Sequence, residues 1–372
     1  MRAVESEKST NQVSKAVAAK PLSAALSAGK WREVEDSVDR ALAWIASQQA
    51  TDGSFPTLPA GQPAVTSLCV IAFLSRGHQP GLGPYGQQLN RAIDFVVSCQ
   101  MSNGLFSFQP PGPLHQDKTA SHGAVYNHAI AGLMLGEVFG HVTGQRGKDV
   151  KQAIEKALLF TRELRLRPKA YSADKGGWRY LRLRFDASAP DSDLLVTAWQ
   201  LMFLRSARNA EFKVPQAHID EAMKFLHRCW DENHHVFHYA LVGEDTRYSR
   251  GVEAAAIVSL SMAGQHQTPM ALAAGDWLLA HPFNEFGHLV GNTDRFFYST
   301  YYCSQAAAKL GGRYWEGIFP PIAETVLSSQ SSDGSWSPEP GHGDGIFGNV
   351  YSSAMAVLSL TPPYQLLPVF QR

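Results

Sequence analysis

One phrase recurs six times along this chain. It reads amphipathic helix, polar-glycine turn, aromatic residue, loop, and then a helix that is apolar nearly all round. Residues 38–49 stop at Asp52-Gly53, with Phe55 behind the turn, and residues 89–100 stop at Asn103-Gly104, with Phe106 behind it. Residues 150–163 reach Gly176-Gly177-Trp178 through a longer loop, and residues 218–230 meet Phe237 as a degenerate aromatic. Residues 271–281 form the weakest copy. Residues 321–330, followed by Asp333-Gly334-Ser335-Trp336, form the most complete one. A unit of this kind cannot bury its own apolar face, so copies must stack against one another.

The second helix of each unit is expected at 65–76, 125–139, 194–207, 252–263, 300–311 and 350–360. The first kind carries charges along one face, as a helix with one side in water should. The second is rich in Ala, Ser and Gly with apolar residues on every side, so its neighbours must enclose it. Six outer helices around six inner ones predict an all-α (α/α)6 toroid, with the inner N-termini gathered at one end. β-branched alternation is absent, so no strand pattern of any length is expected. In the turns, glycine supplies the positive φ that ends a helix, and Asp or Asn starts the turn. The layers alternate throughout, which predicts a single toroid domain over residues 35–372. It is preceded by a Ser/Ala/Lys/Glu-rich disordered tail over 1–34 with a short helix near Ala24.

Thirty-three basic residues balance 33 acidic ones among 372, which excludes the basic excess of a nucleic-acid binder. Cys69, Cys99, Cys229 and Cys303 sit in apolar runs at no metal-ligand spacing and read as buried thiols of a cytoplasmic protein. No apolar run approaches the roughly 18 residues that cross a bilayer, and the first thirty residues lack a secretory h-region. Peripheral membrane contact stays open, as does the oligomeric state.

Gln330-Ser331-Ser332-Asp333-Gly334-Ser335-Trp336 and Gln49-Ala50-Thr51-Asp52-Gly53-Ser54-Phe55 resemble the repeat of squalene and terpenoid cyclases. The chain as a whole resembles the α/α-toroid superfamily that also holds the protein prenyltransferase β subunits. It is most similar to the prenyltransferase/squalene-cyclase-like proteins of planctomycete-type bacteria, through residues 193–208 and 351–372. The resemblance implies a central cavity for an isoprenoid-like apolar molecule. It also implies an acid that protonates an alkene or epoxide, from an Asp-x-Asp-Asp motif whose middle Asp is the donor. Asp191-Ser192-Asp193-Leu194 aligns with that motif, with leucine at the third acid. Asp193 is then the catalytic candidate and Asp191 its tuning partner. Asp193 can equally be the N-cap of the helix that starts at Leu194.

Protein prenyltransferases hold zinc through Asp, Cys and His. Here Ser299 stands at the histidine position and Gly251-Val252-Glu253 lies where the Asp-x-Cys pair belongs, so neither metal nor cofactor is expected. The cluster His234-His235-Val236-Phe237-His238 reads as surface. Tyr126, Trp199, Tyr248, Phe297, Tyr298, Tyr302 and Tyr351 fall near the N-termini of the inner helices. They are either core packing or the lining of a cavity. His122, Asn127, His128, Arg250, Glu253 and Asp294 occupy the same ends and would form its polar rim. Two other classes compete with the isoprenoid reading. One is a non-catalytic toroid that binds a lipid or a protein. The other is a carbohydrate-active α/α barrel, for which Asp193 with Glu253 or Asp294 could supply the two carboxylates.

Overall fold

Helices that are apolar on every side have to be surrounded, and the chain does this by alternating them with helices that keep one face in water. A computed structural model describes residues 21–113, 116, 118–181, 190–242, 248–290, 294–339 and 343–371. Twelve α-helices lie in these residues. The outer ones are α1 (Ala28–Ser47), α3 (Gly86–Ser98), α5 (Gly144–Leu166), α7 (Gln216–Arg228), α9 (Pro269–Ala280) and α11 (Gly312–Ser328). The inner ones are α2 (Ala64–Ser75), α4 (Ala120–Val138), α6 (Leu194–Asn209), α8 (Arg250–Met262), α10 (Phe296–Leu310) and α12 (Gly348–Leu360). Each inner helix packs on the next, and α12 packs back on α2, so the ring closes. Every residue of α2 is buried. The fold is the expected all-α toroid.

The turns explain the repeat. Gly53, Gly104, Gly176 and Gly334 all have φ near +90°, between 89° and 96°. A Cβ on Gly53 would lie 2.3 Å from the Arg91 carbonyl oxygen, and one on Gly334 would lie 2.8 Å from that of Arg40. Each turn thus presses on the backbone of a neighbouring outer helix, and only glycine fits. The glutamine ahead of it is a clasp. Gln49 Nε2 donates to its own turn at Gly53 O (3.0 Å) and to Gln88 O (2.8 Å) in the first turn of α3. Gln100 repeats this with Gly104 O and Ala153 O, and Gln330 with Gly334 O and Ser37 O. The last clasp joins the sixth unit to α1.

The turn aromatic is clasped as well, by its backbone amide. Phe55 N donates to Thr66 Oγ1 (3.0 Å), Trp178 N to Thr197 Oγ1 (3.0 Å) and Trp336 N to Ser353 Oγ (2.9 Å). Phe106 N uses His128 Nδ1 (3.3 Å) and Phe237 N uses the Glu253 carboxyl (2.9 Å) for the same purpose. In each of these five units, one polar side chain on the outward face of the inner helix satisfies that buried donor.

Several details differ from the sequence expectation. Residues 28–34, read as tail, are the first turns of α1. Ser27 caps it by accepting from Lys30 N, and Trp31 stacks on Phe319 at 5.6 Å. The short helix near Ala24 is a 3₁₀ turn at Leu22–Ala25, whose Leu22 carbonyl accepts from Trp315 Nε1; residues 1–20 lie outside the described residues. Helix α11 starts nine residues before the expected Pro321 and runs through Pro320-Pro321, because neighbouring helices hold it. A two-residue ladder, Trp230–Asp231 against Val236–Phe237, forms where the fourth turn is extended. The four cysteines are buried free thiols.

Candidate functional site

The outward acceptor fixes the register of each inner helix, and the register identifies the inward face. Two residues before and two after the acceptor lie four apart on one side of a helix. These positions are Ala64 and Leu68 in α2, Tyr126 and Ile130 in α4, Leu195 and Trp199 in α6, and Tyr351 and Met355 in α12. All eight line a single cavity of about 590 Å³ at the N-terminal ends of the inner helices. Gly251 of α8 and Tyr298 of α10 complete the ring.

Aromatic rings make the wall. Trp199 stacks on Tyr301 behind it (5.7 Å, 9° between planes) and donates through Nε1 to Tyr298 Oη at 3.0 Å. From the loops, Tyr180 and Tyr239 join their hydroxyls at 2.6 Å, and His122 stacks on Tyr180 at 4.2 Å. Burial pushes the Tyr126 and Tyr239 phenols well above their ordinary range. The charged lining residues are cationic: Lys118, Arg179 and Arg295. Among the described lining residues there is no Asp or Glu.

Asp193 is fully buried two residues ahead of the wall residue Leu195. Its Oδ1 accepts from Val196 N at 2.7 Å, an N-cap on α6. Ser249, also four residues before the acceptor of its helix, caps α8 in the same way through Val252 N. The second carboxylate oxygen faces Arg179 Nη1 at 3.8 Å. The Arg179 guanidinium lies over the rings of Tyr180 (4.9 Å) and Tyr239 (5.3 Å), between the acid and the cavity. Asp191 turns the other way. Its Oδ2 accepts from Ala170 N (2.8 Å) and its carbonyl accepts from Lys169 Nζ (2.8 Å), so it ties down the loop before Gly176.

Of the residues expected at the site, Tyr126, Trp199, Tyr298 and Tyr351 line the cavity together, with His122 and Asn127 of the rim. The rest are directed elsewhere, each for a physical reason. His128 and Glu253 are the outward acceptors of turn amides. Burial pushes His128 down to about 3, so its ring is neutral and can accept, and it pushes Glu253 well above the carboxylate range. Arg250 and Asp294 are a fully buried ion pair (2.6 Å). Arg250 Nη2 also donates to His288 O and so holds the loop before α10. Phe297 packs on Phe286 and Phe296, and Tyr302 backs Trp199 at 5.6 Å without reaching the cavity. Tyr248 is 50% exposed and leans edge-on against Trp277.

Sequence reasoning missed Arg179, Tyr180, Tyr239, Lys118 and Arg295, which come from loops. It also missed Ala64, Leu68, Ile130, Leu195 and Met355, which the register from Thr66, His128, Thr197 and Ser353 would have found. In the histidine cluster, His234 Nδ1 and His238 Nε2 both meet the Asp231 carboxylate, at 2.8 and 3.1 Å. Among the described residues no group of three His, Cys, Asp or Glu is arranged to hold a metal ion, and no helix is long and apolar enough to cross a membrane.

No family model and no curated protein matches the chain. Solved structures do match in fold. A variant of the type II terpene cyclase MstE from Scytonema, in complex with geranylgeranyl dihydroxybenzoate, is 14% identical with a TM-score of 0.58, over 92% of this chain and 100% of that one. A glycosidase variant is 12% identical with the same TM-score and coverage. A protein from Actinoplanes is 14% identical with a TM-score of 0.53, over 89% and 99%. The chain shares the all-α toroid fold of these solved structures.

Proposed function

We propose that this chain holds an isoprenoid-like molecule in the central cavity, apolar chain inward and polar or anionic head at the Lys118, Arg179 and Arg295 opening. The observation that carries this reading is the wall itself. Trp199, Tyr126 and Tyr298 alternate with Leu68, Ile130 and Leu195, and no carboxylate lies among the described lining residues. Apolar and aromatic walls with a few placed polar groups suit an apolar ligand. A glycosidase needs two carboxylates across its cleft; Glu253 is held as a turn acceptor and Asp294 in a buried pair, so among the described residues Asp193 has no second carboxylate to face across the cavity. The MstE structures, which hold an isoprenoid substrate and a product, favour the same reading.

Acid-initiated cyclisation is the finer form of this proposal, with Asp193 as the donor and the aromatic wall steadying the cation. A guanidinium beside a carboxylate favours the ionised form, which has no proton to give. Arg179 must therefore leave Asp193 when the ligand enters. Calorimetric titration with geranylgeranyl dihydroxybenzoate and with a soluble oligosaccharide tests the binding reading. Saturable binding of the first alone is expected, and saturable binding of the sugar alone would overturn it. Mass analysis of the bound isoprenoid after incubation tests the finer one. A cyclised product from wild type and none from Asp193→Asn supports the acid, whereas equal turnover by both removes it.

A further inference from the structure

A second cleft, of about 350 Å³, opens on the outer wall where α7 crosses α6 and α8. Its floor is apolar, built from Leu201, Ile219, Met223 and Met262. Its sides carry Arg205, Arg208, Lys224 and His227 against one acid, Asp220. Three of these groups are engaged. Arg208 Nη1 donates to Gln216 Oε1 (2.6 Å), Gln216 Nε2 donates to Asp220 (2.8 Å), and His227 Nε2 donates to Gln265 Oε1 (2.7 Å). Arg205 and Lys224 have no hydrogen bond, ion pair or ring contact with any described residue. Other arginines of the ring are matched, as Arg76 is by Asp39, Arg146 by Asp94 and Arg165 by Glu221, or lie exposed to water, as Arg32 and Arg162 do. Arg205 is half-buried as well as unmatched. A guanidinium partly withdrawn from water gains most from an anion that meets its planar fork.

We infer that this cleft binds a phosphomonoester carried on a short apolar body. The phosphate dianion sits between Arg205 and Lys224, and the body lies on Leu201 and Met223. The cleft shares no lining residue with the central cavity, so the inference stands apart from the isoprenoid reading. The same chemistry is presented by a free phosphate ester and by a phosphatidic-acid headgroup.

Calorimetric titration of the full chain with octyl phosphate tests it, using wild type, Arg205→Gln, Lys224→Gln and a control, Arg162→Gln, on the exposed face of α5. One site per chain is expected. Loss of one charge-assisted hydrogen bond should weaken it about tenfold or more in each cleft variant. The control should bind as wild type. Arg205→Lys, which keeps the charge and loses the fork, should fall between and serves if the glutamine variant does not fold. Competition by phosphatidic-acid vesicles but not by phosphatidylcholine vesicles would make the headgroup the source. Competition by neither would leave the free ester. Absence of octyl phosphate binding, or equal affinity in wild type and both cleft variants, would overturn the inference.

Discussion

The two faces of an inner helix differ more than its composition suggests. His128 and Tyr126 stand two residues apart on α4. The histidine points outward, neutral and clasped to a turn amide, while the tyrosine points inward to the cavity. Glu253 and Gly251 divide α8 in the same way. The outward face is a fixed joint, in which each polar atom answers a buried backbone group. The inward face is an aromatic and aliphatic surface turned to the cavity, on which Trp199 donates to Tyr298. A polar residue at the end of a barrel helix is therefore weak evidence of a site until its face is known.

Breaking the joint should have the largest effect. Gly53→Ala forces a Cβ to within 2.3 Å of the Arg91 carbonyl at a φ of +92°. It should lower stability by about 2–3 kcal/mol. Gly334→Ala, with 2.8 Å available, should cost less. Chemical denaturation ranks the two, and the reverse order would contradict the joint geometry.

Glu253→Leu should come next, since it strands the Phe237 amide and a buried unsatisfied donor costs about 1–3 kcal/mol. Glu253 also gives the joint a pH signature. Burial raises its folded pKa above the unfolded value, so the folded state binds the extra proton. Its stabilising contribution is full below the unfolded carboxylate pKa and is lost as pH rises from there toward the raised folded value. Glu253→Gln keeps an acceptor and removes the titration. Melting temperatures between pH 4 and 8 should fall less steeply in this variant than in wild type; parallel curves would contradict the assignment.

At the boundary between the faces, Asp193→Asn and Asp193→Ala both remove the charge that meets Arg179, but only Ala removes the cap on Val196 N. The two should differ by about 1 kcal/mol in unfolding free energy. Equal stability would take the cap away from Asp193.

The smallest structural effect belongs to the inward face. Tyr126→Leu should leave the melting temperature within about a degree or two, because no clasp depends on that ring. It should weaken isoprenoid binding measurably by calorimetry. A large loss of stability with unchanged binding would invert the comparison.

The sequence by itself determined the architecture. Six repeats, four of them with an intact glycine-aromatic turn, each pairing a one-faced with an all-round apolar helix, admit few arrangements other than a closed double ring. The glutamine four residues before the glycine was visible in the repeat, but its clasp on the neighbouring outer helix came only with the structure. Which side of an inner helix meets the cavity was decided only by tertiary structure. A helix that is apolar on every side has no periodicity that separates its faces, since the ring of neighbours on one side and the cavity on the other ask for similar residues. Arg179, Tyr180 and Tyr239 were invisible for a related reason. They lie in loops, where no period assigns a direction, and they reach the cavity only because the Trp178 and Phe237 turns are clasped to α6 and α8.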